Sequence, residues 1–99
     1  MENIKVLVVD DEPNIRDVVG KTLRHSGYNV AAVGTGNEAI KVATEAKPDL
    51  IVLDAMLPDM SGFSVTQALR AKGIDIPILF LTAKDSPSDE VAGDRKSVV

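Results

Sequence analysis

Apolar and polar positions fall in alternating blocks along this chain. Ile4 to Val9 is apolar except for Lys5 and ends at Asp10-Asp11-Glu12, while Leu50 to Leu53 is wholly apolar and ends at Asp54. A short run of Ile, Val and Leu bounded by acids predicts a buried strand with a carboxylate at its exit. After the first run, Pro13 belongs in a first helical turn with Asp11 as N-cap; Ile15, Val18, Val19 and Leu23 share one helical face, and Gly27 closes the segment. Tyr28 to Val33 mixes Asn29 and alanines with valines and predicts a less buried strand. Gly34-Thr35-Gly36 then turns into a helix bearing Ala39, Ile40, Ala43 and Ala46, which Pro48-Asp49 stops. Beyond Asp54 a loop containing Pro58 runs to Ser61. It leads to a helix over Gly62 to Lys72, with Val65, Ala68 and Leu69 on its apolar face and Gly73 at its end. Ile76 to Leu81 predicts a fourth strand with Pro77 near its start, and Asp85-Ser86-Pro87 signals a further helix towards Val91 and Gly93.

Strands and helices alternating at this spacing predict a parallel α/β sheet with the mixed second strand at an edge. In such sheets ligands bind outside the carboxyl ends of the strands, where Asp10, Asp11, Asp54 and Thr82-Ala83 emerge. If the first and third strands are neighbours, the three carboxylates lie about 4.8 Å apart, one strand spacing. Folding alone does not require so many like charges together. They are costly unless a cation sits among them.

Composition narrows the function classes. The 99 residues, 44% of them hydrophobic, suit a single domain with a packed core. Eleven basic residues against 15 acidic give a net charge of −4 with no Lys/Arg block, so direct nucleic-acid binding by this chain is not expected. There is no cysteine, hence neither a disulfide framework nor a thiolate metal site. No signal segment opens the chain and no apolar stretch approaches a membrane span, which makes a cytoplasmic location the expectation.

Val8-Val9-Asp10-Asp11-Glu12, Leu53-Asp54-Ala55-Met56-Leu57-Pro58 with Gly62-Phe63, and Leu81-Thr82-Ala83-Lys84 occur in this order. Together they resemble the receiver domain of two-component response regulators, of the transcriptional-regulator type. The resemblance implies a flavodoxin-like, doubly wound parallel sheet in the order 2-1-3-4, with a fifth strand beyond. It implies phosphorelay: Asp54 accepts a phosphoryl group from a sensor histidine kinase, with Mg2+ as cofactor. By motif match Asp11, Asp54 and the backbone carbonyl of Met56 are direct metal ligands, Asp10 acts largely through water, and the Thr82 hydroxyl contacts a phosphoryl oxygen. The protein is then a switch and not an enzyme with turnover.

Each residue also has a plainer reading. Asp11 can be only an N-cap, Asp54 an Asx-turn residue, and Thr82 an ordinary strand-end hydroxyl. His25 suits a surface position favoured by a helix dipole, and packing accounts for Met60 and Phe63. The chain also departs from the family. Receivers continue into a fifth strand with a lysine followed by proline, then a fifth helix, and by family spacing that lysine falls beyond Val99. Lys96 lies too far from the carboxyl edge to replace it, and Lys84 reads as a solvated loop cation. The expectation is therefore an incomplete receiver over residues 1–93, an atypical tail over 94–99, and the fifth strand and helix missing or rudimentary. Without the lysine and the switch region phosphorylation would be impaired, and Ile78 to Leu81 would lack cover, leaving an open sheet edge as a route to self-association. Two alternatives stand beside the signalling receiver. One is a binding fragment that no longer accepts phosphate. The other is an aspartyl-phosphate phosphohydrolase, although such enzymes usually carry Asp-x-Asp after the first strand and here Asp10 and Asp11 are adjacent.

Overall fold

Two apolar runs form the middle of one parallel sheet with a third beside them, and the amphipathic segments between the strands become the helices that cover it. The computed structural model describes residues 3–81. The chain runs β1 (Lys5–Val9), α1 (Pro13–His25), β2 (Asn29–Val33), α2 (Gly36–Ala46), β3 (Leu50–Asp54), α3 (Gly62–Ala71) and β4 (Ile78–Leu81). The strand order is β2-β1-β3-β4, as the resemblance implies, and β2 lies at an edge, as the pattern predicts. Thr82, Lys84, the helix expected after Asp85 and the tail 94–99 lie outside the described residues.

The side-chain period of two sorts the strands onto two faces. Leu7 and Val9 of β1 and Ile51 and Leu53 of β3 are buried with Ala39 and Ala43 of α2 and Val65 and Leu69 of α3. On the opposite face Val6, Val8 and Val52 are buried, with Val19 and Leu23 of α1 packed against them. The register pairs Val8 with Val52 and Val9 with Leu53, so the central strands end side by side. β2 has only exposed and half-buried residues, as its mixed composition predicts for an edge.

Several expectations are corrected. The N-cap of α1 is Glu12, not Asp11, and no side chain of the cap residue itself bonds the first turn. The Asp10 carboxylate accepts the Glu12 N–H instead, because the turn out of β1 is already made at that residue. Val18 is 61% exposed, since it lies three positions from Ile15 whereas Val19 and Leu23 continue the i+4 row onto the sheet. Ala46 is likewise exposed, in the last turn of α2. β4 begins at Ile78 and not at Ile76: Pro77 has no N–H for the ladder, and its carbonyl accepts the Ile51 N–H at 3.0 Å just before pairing starts. Lys47, the C-cap of α2, lies in the left-handed region, because the residue before Pro48 is disfavoured in the helical one. Gly27 and Gly73 close α1 and α3 with positive φ. The four side chains of β4 are half-buried.

Candidate functional site

Asp10 follows the last residue of β1 and still belongs to its ladder, with its N–H donating to the Val33 carbonyl at 3.1 Å. Asp54 is the last residue of β3. Extending the register by one step past Val9 and Leu53 sets the two aspartates opposite each other, on the face of Val8 and Val52. Asp11 is the next residue round the turn. One carboxylate oxygen from each of Asp10, Asp11 and Asp54 lies within 4.8 Å of the others. The three differ in access: Asp10 is 1% exposed, Asp54 half-buried and Asp11 exposed. The cluster is therefore a cup with an anchored floor and an open rim.

Local hydrogen bonds fix the cup. Asp10 Oδ1 accepts the Glu12 N–H at 2.8 Å, and Asp54 Oδ1 accepts the Met56 N–H at 3.2 Å, which folds the start of the β3–α3 loop back towards the acids. Arg16, one turn into α1, donates from Nη1 to the Asp10 backbone carbonyl at 2.7 Å and brings a positive charge to the exit of β1. Gly34 gives this guanidinium room, since a Cβ there would stand 2.7 Å from Nη1. Beneath the cluster Gly62 packs against the backbone of β3. A Cβ at 62 would lie 2.6 Å from the Asp54 carbonyl oxygen and 3.1 Å from the Phe80 ring. Met56 is 67% exposed at the rim, and Phe63 stacks on Phe80 with ring centroids 4.9 Å apart.

The donor set is all oxygen. That chemistry suits a hard cation such as Mg2+, which takes one or two carboxylates and keeps several waters. Of the residues singled out by sequence, Asp10, Asp11 and Asp54 are brought together and Met56 lies two residues beyond Asp54. Two residues near the site escaped the sequence reading. Arg16 reads as one more polar position of α1. Asp59 reads as a turn residue after Pro58, yet its carboxylate accepts from the N–H groups of Gly36 and Asn37 at 2.8 and 2.9 Å. These bonds, that from Gly36 foremost, hold the exposed Asp59 carboxyl below the usual aspartate range.

Comparison with known proteins agrees with this architecture. The family model for the response regulator receiver domain matches residues 6–95. The alkaline phosphatase synthesis transcriptional regulatory protein PhoP of Bacillus subtilis is 50% identical over 91 residues, 92% of this chain and 38% of that protein. The chain thus spans well under half the length of the curated relatives it matches. Among solved structures, the chemotaxis response regulator CheY4 of Vibrio cholerae superposes with a TM-score of 0.82 at 36% identity, covering 98% of this chain and 82% of that one. The response regulator TrrA of Thermotoga maritima, solved in complex with Mg2+ and BeF, gives 0.79 at 34% identity over 96% of this chain and 81% of its own.

Proposed function

The chain belongs to the family of response regulator receiver domains, and on that premise we propose that Asp54 accepts a phosphoryl group from the phosphohistidine of a sensor kinase, with Mg2+ held at the carboxyl edge of the sheet. The observation that carries this reading is the meeting of the Asp10, Asp11 and Asp54 carboxylates within 4.8 Å. In the transfer an Asp54 carboxylate oxygen attacks phosphorus, the new P–O bond forms as the P–N bond to the imidazole breaks, and the electron pair returns to the ring nitrogen.

Two charged partners meet in that step, and its obstacle is repulsion. Bound Mg2+ supplies the positive charge that offsets both the carboxylate cluster and the phosphoryl oxygens. Asp11, Asp54 and the Met56 carbonyl would hold it, with Asp10 acting largely through water; the TrrA complex with Mg2+ and BeF supports the choice of ion. Asp10 is the fixed point of the site, because the Glu12 N–H and the β2 ladder both restrain it. Asp54 must present an oxygen to solvent, and its half-buried position at a strand end allows that. By the family pattern the Thr82 hydroxyl binds a phosphoryl oxygen. The role is that of a switch in the cytoplasm whose partner is the kinase; no DNA contact by this chain is proposed, in keeping with its net charge of −4.

Incubation with Mg2+ and acetyl phosphate followed by intact mass measurement tests the reading. A phosphate adduct in the wild type that disappears in Asp54→Asn and on chelation of the metal is expected. Absence of any adduct would favour a binding module that no longer takes phosphate, and continuous donor hydrolysis would favour a phosphohydrolase; either result overturns the proposal.

A further inference from the structure

The loop between β3 and α3 carries Met56, whose backbone carbonyl is a ligand in the proposed ion site, and something must hold it in place. Part of the restraint is internal: the Leu57 N–H donates to the Met60 carbonyl at 3.2 Å and the Gly62 N–H to the Ala55 carbonyl at 2.8 Å. These bonds fold the loop on itself. Asp59 ties it to another element. Its Oδ1 accepts the Gly36 N–H at 2.8 Å and its Oδ2 the Asn37 N–H at 2.9 Å, across 23 and 22 residues of sequence. Those are the first two N–H groups of α2, which have no intrahelical acceptor and sit at the positive end of the helix.

The helix does not depend on Asp59 for a cap. Thr35 already caps it, with Oγ1 accepting the Glu38 N–H at 3.2 Å, while Glu38 reaches back to the Gly34 N–H at 3.2 Å. The Asp59 contact is thus an additional, long-range one. A second, apolar contact lies beside it. Met60 rests over the bare α-carbon of Gly36, where a Cβ would collide with Met60 Cγ and come within 2.8 Å of Sδ and 3.1 Å of Val65 Cγ2. Two successive loop residues, one charged and one apolar, are seated on the same helical turn.

We propose that Asp59 is a positioning residue: by anchoring the β3–α3 loop on the first turn of α2 it fixes the Met56 carbonyl and so sets the affinity of the acidic cluster for Mg2+. The inference rests on the reading of this edge as the Mg2+ site. A loop held in its ligating geometry before the ion arrives loses less conformational freedom on binding, and residues that orient ligands commonly change metal affinity by about tenfold or more.

Titration calorimetry with MgCl2 on the whole chain, together with melting temperatures, tests this. Asp59→Ala removes both acceptors at an exposed position and is expected to weaken Mg2+ binding about tenfold. Asp59→Asn keeps one acceptor oxygen and should recover part of that loss. Thr35→Ala removes the other cap of the same helix without touching the loop; it should lower the melting temperature while leaving Mg2+ affinity unchanged. Unaltered affinity in Asp59→Ala, or an equal loss in Thr35→Ala, would overturn the anchor while leaving the ion site intact. A wild type that binds no Mg2+ would instead remove the reading beneath it.

Discussion

The face of the sheet beneath α2 and α3 carries Leu7, Val9, Ile51 and Leu53, all fully buried, whereas the face beneath α1 carries Val6, Val8 and Val52 and runs on into Asp10 and Asp54. The same two strands supply both rows. On the first face the alternation of side chains ends in hydrocarbon, closed over by α3 and by α2, whose small residues Ala39 and Ala43 face the sheet. On the second it is covered by α1, whose side chains are at most half-buried, and it opens at the carboxyl end into a charged cup. Stability is concentrated on one side and chemistry at the end of the other. A cluster of like charges is tolerable here because the packing that holds the strands together lies mainly across the sheet from it.

This asymmetry is open to direct attack, and the largest effect is expected in the core. Leu53→Ala leaves a cavity under α3 and should cost about 2 to 5 kcal/mol in urea unfolding. Leu23→Ala on α1, where the side chain is half-buried, should cost about 1 kcal/mol. Equal losses would mean that the two faces carry stability alike.

Gly62→Ala strikes where the two regions touch. The added methyl meets backbone, not the end of a flexible side chain: 2.6 Å to the Asp54 carbonyl oxygen and 3.1 Å to Ala55 Cα. Relief requires the end of β3 or the start of α3 to move, which should destabilise the domain by about 1 to 3 kcal/mol. Because the displaced carbonyl belongs to Asp54, acetyl phosphate labelling should fall as well. Full labelling in a destabilised Gly62→Ala protein would separate the two regions more completely than the structure suggests.

The charged cup responds in the opposite sense. Asp10→Asn keeps an oxygen acceptor for the Glu12 N–H and removes one of three clustered charges, so the metal-free protein should gain on the order of 1 kcal/mol. The same change should abolish most of the rise in melting temperature expected on adding Mg2+ to the wild type, since a ligand stabilises the native state more the more tightly it binds it. A loss of stability without metal would show that Asp10 is held for packing and not for charge.

How much of this was legible beforehand depends on the range of the contact. β1 and β3 were plain because strands buried on both faces must be apolar throughout, and the convergence of Asp10 and Asp54 follows from two such strands ending in register. The edge position of β2 followed from its mixed composition in the same way. Boundaries were less visible: Asp11 as N-cap failed because Asp10, one residue earlier, already serves the turn, and β4 starts late because Pro77 offers no N–H. The tie from Asp59 to Gly36 and Asn37 left no periodic trace, since it spans elements and is made to backbone groups that any residue supplies. Arg16 was hidden similarly, because its acceptor is a main-chain carbonyl.

That tie also gives the domain a pH dependence. The Asp59 carboxyl is held below its ordinary range by the Gly36 and Asn37 N–H groups, so its contribution is fully present above the unfolded-state value and is lost as pH falls through the lowered native one. The stability difference between wild type and Asp59→Asn should therefore be constant from neutral pH down to about pH 4 and shrink below it. A difference that grows on acidification would have the wrong sign for a hydrogen-bonded carboxylate.

The smallest effect is expected at Val18, and it sharpens the contrast because pattern alone places this residue on the packed face of α1. With 61% of its surface in water it has little left to lose, and Val18→Ala trades a β-branched residue for the best helix former. The change should fall within about 0.5 kcal/mol of zero. A loss above about 1.5 kcal/mol, the range for a buried aliphatic side chain, would require Val18 to be covered in solution. The α1 face would then be packed more fully than its half-buried residues imply, and the division between a stabilising and a chemical side of the sheet would have to be redrawn.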